Sequence, residues 1–290
     1  MQERKSYLPG VPCWLDIRPS DPQAAKEFYG GVFGWEFVDT APEGAPVPYY
    51  VAQLRGLSVA AIGGARPGAD GSGWNPYTAV DSADRAVERV RQAGGTVVSE
   101  PMDIPGAGRM ASFADSEGAV FSVWEARGFN GAQLVNEPGT WNFSELHTSD
   151  PGSAAKFYRT VFDWDVVDFS VGDSAYRFFK LDGYGASLAK NNPEFAERIA
   201  ADESAAAFAD VVATLIDESS GPEASSAARW SVTFAVDDAD AIAAETERLG
   251  GKIIVPPFDV EPVRMTVLAD AQGAVFAASK FQPTAQPQAT

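Results

Sequence analysis

The 290-residue chain has a single imidazole, His147, and a single thiol, Cys13. Any histidine-based acid–base or nucleophilic scheme rests on His147, whose ordinary pKa lies near neutrality. Glu145 stands two residues before it. Asp16 and Arg18 occupy the matching places 129 positions upstream. Residues two apart on an extended segment share a face, so each half presents an acid beside a second polar group. Burial of Asp16 among Trp14 and Met110 would make it a candidate general base by desolvation, with Glu145 as its counterpart. The competing reading makes both structural carboxylates hydrogen-bonded to backbone. His147 falls near a strand end and is expected to be exposed. Arg109 and Arg264 match each other but alternate to the other face, where ion pairs or domain contacts account for them.

Other chemistries lack their signatures. There is no Walker-type Gly-rich loop, and Gly63-Gly64 reads as a turn. There is no Gly-x-Ser-x-Gly elbow. One cysteine allows neither a Cys-x-x-Cys pair nor an internal disulfide, which suits the reducing cytoplasm as the expected location. Cys13 alternates away from Trp14 and reads as a small buried apolar residue. Acids outnumber bases 40 to 22, giving a net charge of −18 spread along the chain. Such a surface disfavours nucleic acid and anionic membranes as partners. No run approaches membrane-spanning length, and the start lacks an apolar leader region.

These residues must be held by a unit that occurs twice. Asp21-Pro22 through Gly34-Trp35 is repeated as Asp150-Pro151 through Asp163-Trp164, 129 positions on. Ala25, Phe28, Tyr29, Val32 and Phe33, and Ala154, Phe157, Tyr158, Val161 and Phe162, fall at i, i+3, i+4, i+7, i+8. That spacing predicts one buried stripe of a helix. Asp21 and Asp150 fit the N-cap, and Pro22 and Pro151 the first helical position. Strand patterns and turns extend the repeat to β-α-β-β-β twice in each half. The fold class expected is α+β, with four such modules in two domains. Residues 1–128 and 142–281 form the domains, 129–141 a Gly/Asn/Pro-rich linker, and 282–290 a fraying tail. An insertion at 192–228 replaces the short loop 65–73. It carries Phe195, Ile199, Phe208, Val211, Val212 and Leu215 at helical spacing, predicting a surface helix or a lid.

The carrying motifs are Phe28-Tyr29-x-x-Val32-Phe33-x-Trp35, Val80-Asp81 and Val236-Asp237, and Asp115-x-x-Gly118 and Asp270-x-x-Gly273. Doubled modules with these motifs resemble the vicinal oxygen chelate superfamily of glyoxalases, bleomycin-resistance proteins and extradiol dioxygenases. The resemblance covers nearly the whole chain. It implies half-barrel domains whose concave faces hold a divalent metal between His, Gln or Glu side chains. Counted from landmarks, the implied ligand positions are Trp14, Asn75 and Ser122, then Phe143, Ser231 and Ala277. None is His, Glu or Asp, so no metal and no other cofactor is expected. A site displaced to Asp16, Glu145 and His147 is the alternative.

With the family's inward face kept, the first concave face holds Trp14, Asp16, Asn75, Tyr77, Met110, Ser112, Ser122 and Trp124. The second holds Phe143, Glu145, His147, Ser231, Thr233, Met265, Val267 and Ala277. Trp14 and Trp124 are placed to sandwich a planar ligand, with Met110 and Met265 as adaptable surface. The domain-one cleft is therefore the favoured pocket. The resemblance to bleomycin-resistance proteins implies a metal-free small-molecule binder for an aromatic or amphipathic compound. The rival is an isomerase, lyase or cyclase using Asp16 or Glu145 as base, or a displaced metal. A third reading is an interaction protein with filled clefts and a contact-bearing insertion. The state expected is a monomer with its domains paired within the chain, or a homodimer.

Overall fold

The structure, a computed structural model, describes residues 3–65, 73–171, 174–190, 192–220 and 227–282. The tail expected to fray, from 283 on, lies outside the described residues, as does most of the loop at 65–73. The first module is β1 (Pro12–Ile17), α1 (Pro22–Phe33), β2 (Glu36–Asp39), β3 (Tyr49–Leu54) and β4 (Leu57–Gly63). The second is β5 (Trp74–Ala79), α2 (Ala83–Gln92), β6 (Thr96–Ile104), β7 (Gly108–Ala114) and β8 (Val120–Ala126). After the linker come β9 (Thr140–Thr148), α3 (Pro151–Phe162), β10 (Asp165–Val171) and β11 (Ser174–Lys180). Three short helices follow, α4 (Tyr184–Lys190), α5 (Pro193–Ala201) and α6 (Glu203–Phe208), before β12 (Val211–Asp217) closes that module. The last is β13 (Arg229–Ala235), α7 (Ala239–Arg248), β14 (Lys252–Val260), β15 (Val263–Ala269) and β16 (Val275–Phe281).

Each domain is one eight-stranded mixed sheet, ordered β2-β3-β4-β1-β5-β8-β7-β6 and, identically, β10-β11-β12-β9-β13-β16-β15-β14. This is the expected fold: two tandem α+β domains of paired βαβββ modules. The repeated helices form for the reasons in the sequence. Asp21 accepts from the amides of Gln23 and Ala24, and Asp150 from Ser153, so each cap satisfies amides that have no helical partner. Gly34 ends α1 in the left-handed region at φ 71°. Asp163, one of the few other residues that tolerate it, ends α3 at φ 61°.

The insertion lies elsewhere than the sequence suggests. It sits between β11 and β12, where domain one has only the turn at Arg55-Gly56 between β3 and β4. Val211, Val212 and Leu215 belong to a strand. In β12, Val211, Ala213 and Leu215 are buried at period two while Val212 and Thr214 are half-covered. A strand with apolar residues on both faces mimics helical spacing over so short a run.

The two sheets meet through exchanged helices. Phe28 and Phe33 of α1 pack on Phe276 and Phe234 of domain two. Phe157 and Phe162 of α3 pack on Phe121 of domain one. The hairpin aspartates pin this arrangement. Asp115 Oδ1 accepts from the amides of Glu117 and Ala119, while its Oδ2 receives Tyr158 Oη at 3.0 Å. Asp270 does the same for Gln272 and Ala274, and receives Tyr29 Oη at 3.0 Å. Trp35 Nε1 donates to Gly139 O, and Trp164 Nε1 to Gly10 O, each at 2.7 Å. The linker crosses domain one as an added segment: Ala132 N bonds Cys13 O, and Gln133 N bonds Ser58 O. Cys13 is fully buried, as its alternation indicates. Arg109 pairs with Asp84 and Asp103, and Arg264 with Asp240 and Asp259, both at the surface.

Candidate functional site

Strand register delivers each set of candidates to one face. Trp14 lies opposite Tyr77, Asp16 opposite Asn75, Tyr77 beside Ser122, Ser112 opposite Ser122 and Met110 opposite Trp124. In domain two Phe143 lies opposite Thr233, Glu145 opposite Ser231, His147 opposite Arg229, and Thr233 beside Ala277.

In domain one this face has closed on itself. Asp16 is fully buried. Its carboxylate receives Arg18 Nη2 and Tyr77 Oη on Oδ2 at 2.9 Å each, and Asn75 Nδ2 on Oδ1 at 3.1 Å. Its donors are thus side chains, not the backbone. Asn75 and Ser122 bond each other, and Ser122 meets Ser112 at 2.8 Å. Burial pushes the Tyr77 hydroxyl well up, and the facing Asp16 charge adds to it. Trp14 and Trp124 do not form an open sandwich. Phe129, from the linker, stands edge-on to both, with centroids 4.8 Å and 6.3 Å away. Trp14 Nε1 is taken by Tyr49 Oη and Trp124 Nε1 by Phe129 O. Met110 is buried with them. The favoured pocket is therefore filled by a residue the strand pattern could not place there.

The face in domain two stays partly exposed. Phe143, Glu145, His147, Ser231, Met265, Val267 and Ala277 all keep partial solvent access. Phe208, at the end of α6, stands over this face at 6.0 Å from Phe143, 5.6 Å from Phe169 and 5.2 Å from Phe178. The insertion thus roofs the first module of domain two. Beside the aromatics, Glu145 receives Thr233 Oγ1 at 2.5 Å and Ser231 Oγ at 2.9 Å. Burial pushes its carboxyl up to about 7, and those two hydrogen bonds only partly offset the desolvation. His147 is less exposed than its place near the strand end suggests. Its Nδ1 lies 2.6 Å from Glu218 Oε1 and its Nε2 2.9 Å from Ser231 Oγ. Burial pushes Glu218 up, but hydrogen bonds and charge from Arg229 and His147 outweigh it and hold the carboxyl below its usual range.

Glu218, Arg229, Phe169 and Phe178 were not among the sequence candidates. Arg229 was within reach, because it precedes Ser231 by two residues and so shares its face. Glu218 was hidden because β12 read as helix.

This arrangement of paired βαβββ sheets, with their concave faces lined by period-two side chains, defines a class of proteins built on a half-barrel scaffold. The chain belongs to the Glyoxalase/Bleomycin resistance protein/Dioxygenase superfamily, whose family description matches residues 13–123 and again 142–277. A provisionally named glyoxylase, CFP32 of Mycobacterium tuberculosis, is 36% identical over 98% of this chain and 99% of its own length. The anthracycline biosynthesis protein DauV of Streptomyces sp. strain C5 is 31% identical over 93% of each chain. Among solved structures, the Mn(II)-bound glyoxalase of Novosphingobium aromaticivorans aligns with TM-score 0.58 at 19% identity, covering 94% of this chain and 82% of that one. The 2,3-dioxygenase LapB of Pseudomonas sp. KL28 aligns with TM-score 0.59 at 11% identity, covering 98% and 97%. At these identities the structural matches establish the fold alone.

The family resemblance implies ligands for a divalent ion at six positions, Trp14, Asn75, Ser122, Phe143, Ser231 and Ala277. The six expected positions carry two rings, an amide, two hydroxyls and a methyl. No group of three or more His, Cys, Asp or Glu among the described residues is arranged to hold a metal. Arg18 already supplies the positive charge that Asp16 faces. No helix among the described residues is long and apolar enough to cross a membrane.

Proposed function

We propose that this protein binds a planar aromatic or amphipathic small molecule, without a metal ion, on the concave face of its C-terminal domain. One contrast carries the reading. The domain-one face is plugged by Phe129, whereas the domain-two face leaves Phe143, Phe169 and Phe178 partly exposed beneath Phe208. Such a lining, with a few convergent polar groups, suits a ligand pocket. The relatives DauV and DnrV are named for anthracycline biosynthesis, which supports a polycyclic aromatic ligand. The expected setting is the cytoplasm.

Titration with 1,4-dihydroxyanthraquinone, followed by its own absorbance, tests this. Phe143→Ala and Phe208→Ala should each weaken binding about tenfold, the loss of one aromatic contact. Dialysis against EDTA should leave binding unchanged. Loss on chelation with recovery on adding Mn(II) would overturn the metal-free reading. Full affinity in both alanine variants would move the site elsewhere.

A second reading, an enzyme of the isomerase, lyase or cyclase kind, has one observation in its favour. Glu145 sits on that face with its carboxyl raised to about 7, poised to take and give a proton near neutrality.

A further inference from the structure

Domain two holds a line of hydrogen-bonded groups where domain one holds a fixed ion pair. Ser231 Oγ lies 2.9 Å from Glu145 Oε2 and 2.9 Å from His147 Nε2. His147 Nδ1 meets Glu218 Oε1 at 2.6 Å, and Arg229 grips Glu218 through both carboxylate oxygens at 2.9 Å and 3.0 Å. A serine hydroxyl has one proton to give and two lone pairs to receive with. It cannot donate to Glu145 and His147 together. When the Glu145–His147 pair holds one exchangeable proton, either Ser231 donates to an ionised Glu145 and accepts from an imidazolium Nε2–H, or it donates to a neutral His147 and accepts from a protonated Glu145. The two arrangements differ by one proton carried through Ser231, and all partners stay satisfied in both. Domain one cannot do this. Arg18 replaces the imidazole and does not release its proton, and Asp16 is sealed by Arg18, Asn75 and Tyr77.

We propose that Glu145, Ser231, His147 and Glu218 form a proton relay that tautomerises a planar aromatic carbon acid, with Glu145 meeting the ligand. The inference rests on a ligand being seated on this face, as above. Before the step the exchangeable proton of the Glu145–His147 pair is absent: Glu145 is ionised and receives Ser231 Oγ, and His147 is neutral with its Nδ1–H towards Glu218. Glu145 takes the proton of a C–H bond conjugated with a carbonyl, directly or through an aromatic ring. The bonding pair moves into a new C=C bond, and the carbonyl oxygen gains the charge. Glu145 then gives its proton to Ser231 Oγ as the serine's own proton passes to His147 Nε2. The proton returns by the same route to the enolate oxygen or to a second carbon. Nothing is oxidised or reduced. Glu218, anchored by Arg229, holds the ring and stabilises the imidazolium. Glu145 is the catalytic residue, and Ser231, His147 and Glu218 act through it.

As the only histidine, His147 can be followed alone by ¹⁵N resonance in the full-length, ligand-free protein. The relay predicts a two-step titration of its ring nitrogens, because the coupled sites interact by about a pH unit or more. Glu145→Gln should remove one step. Ser231→Ala should remove it with Glu145 still present, and Ser231→Thr should keep it. A single-step curve indifferent to Glu145→Gln, or two steps surviving Ser231→Ala, overturns the relay. For catalysis, anthrone under anaerobic conditions in D₂O is the probe. Wild type should exchange its C10 hydrogens about 100-fold faster than buffer, and Glu145→Gln at the buffer rate. Anthrone that binds yet exchanges no faster than in buffer would overturn the catalytic role and leave the binding site standing.

Discussion

At the scale of single residues, the matched acids of the two halves have diverged. Asp16 is buried as one partner of an ion pair with Arg18, so Asp16→Asn leaves a guanidinium 15% exposed without its counter-charge. Removing one partner of a buried pair typically costs about 3 kcal/mol. Urea denaturation of Asp16→Asn should show a loss of that order, and an unchanged midpoint would deny the pairing. Glu145 predicts the opposite sign. Its folded pKa, about 7, lies above its unfolded value near 4.5. The native state therefore holds more proton between those values, and stability falls as pH rises through that window. Glu145→Gln abolishes the penalty and keeps a side chain whose oxygen accepts from one of Ser231 and Thr233 while its amide donates to the other hydroxyl. Its advantage over wild type should be absent below about pH 4.5, grow towards pH 7 and then level off. A plateau of about 1–2 kcal/mol is expected, given the partial solvent access. Paired urea curves at pH 4.5 and pH 8 check it, and equal differences at both would refute it. The facing of these residues was legible because period two and a constant offset of 129 fix it. Their environments were not, because they depend on Phe129 and Phe208, which come from segments outside the repeat.

At the scale of elements, the insertion is the part least secured by the core. Neither α5 nor α6 has a fully buried residue. Their hold is the capping of Asn192 onto Phe195 N, of Asp202 onto Ser204 N and Ala205 N, and the seat of Phe208 among Phe143, Phe169 and Phe178. By contrast α3 buries five residues. Amide exchange should therefore be fast in α5 and α6 and slow in α3, with local opening well below the global unfolding free energy. A ligand under Phe208 should slow exchange in α6 selectively. Uniform protection across α3 and α6 without ligand would contradict the lid geometry. The sequence revealed an insertion in this half but not its place. Apolar residues on both faces of β12 gave the spacing of a helix, and pairing with β11 and β9 decides for strand.

At the scale of the whole chain, the linker separates in sequence what the cores join in space. One core contains α1 together with Val232, Phe234, Leu268 and Phe276. The other contains α3 together with Ala111, Phe113, Phe121 and Val123. Each domain thus completes itself with a helix from its neighbour. This explains why the hairpin motif is an aspartate, which must close its own turn and also receive a tyrosine from across the interface. The sequence displayed that aspartate twice. It could not show that its second oxygen faces the other domain, because no pattern within one repeat encodes contact with another. It follows that neither domain should unfold alone. Tryptophan emission, with reporters in both cores at Trp35 and Trp164, and far-UV dichroism should give one coincident urea transition. Tyr29→Phe and Tyr158→Phe each leave a buried carboxylate oxygen one donor short, at a cost of about 1–2 kcal/mol. Each should move the whole transition to lower urea without splitting it. Two resolved transitions, one shifted by each substitution, would show that the domains stand independently and that the exchanged helices contribute little.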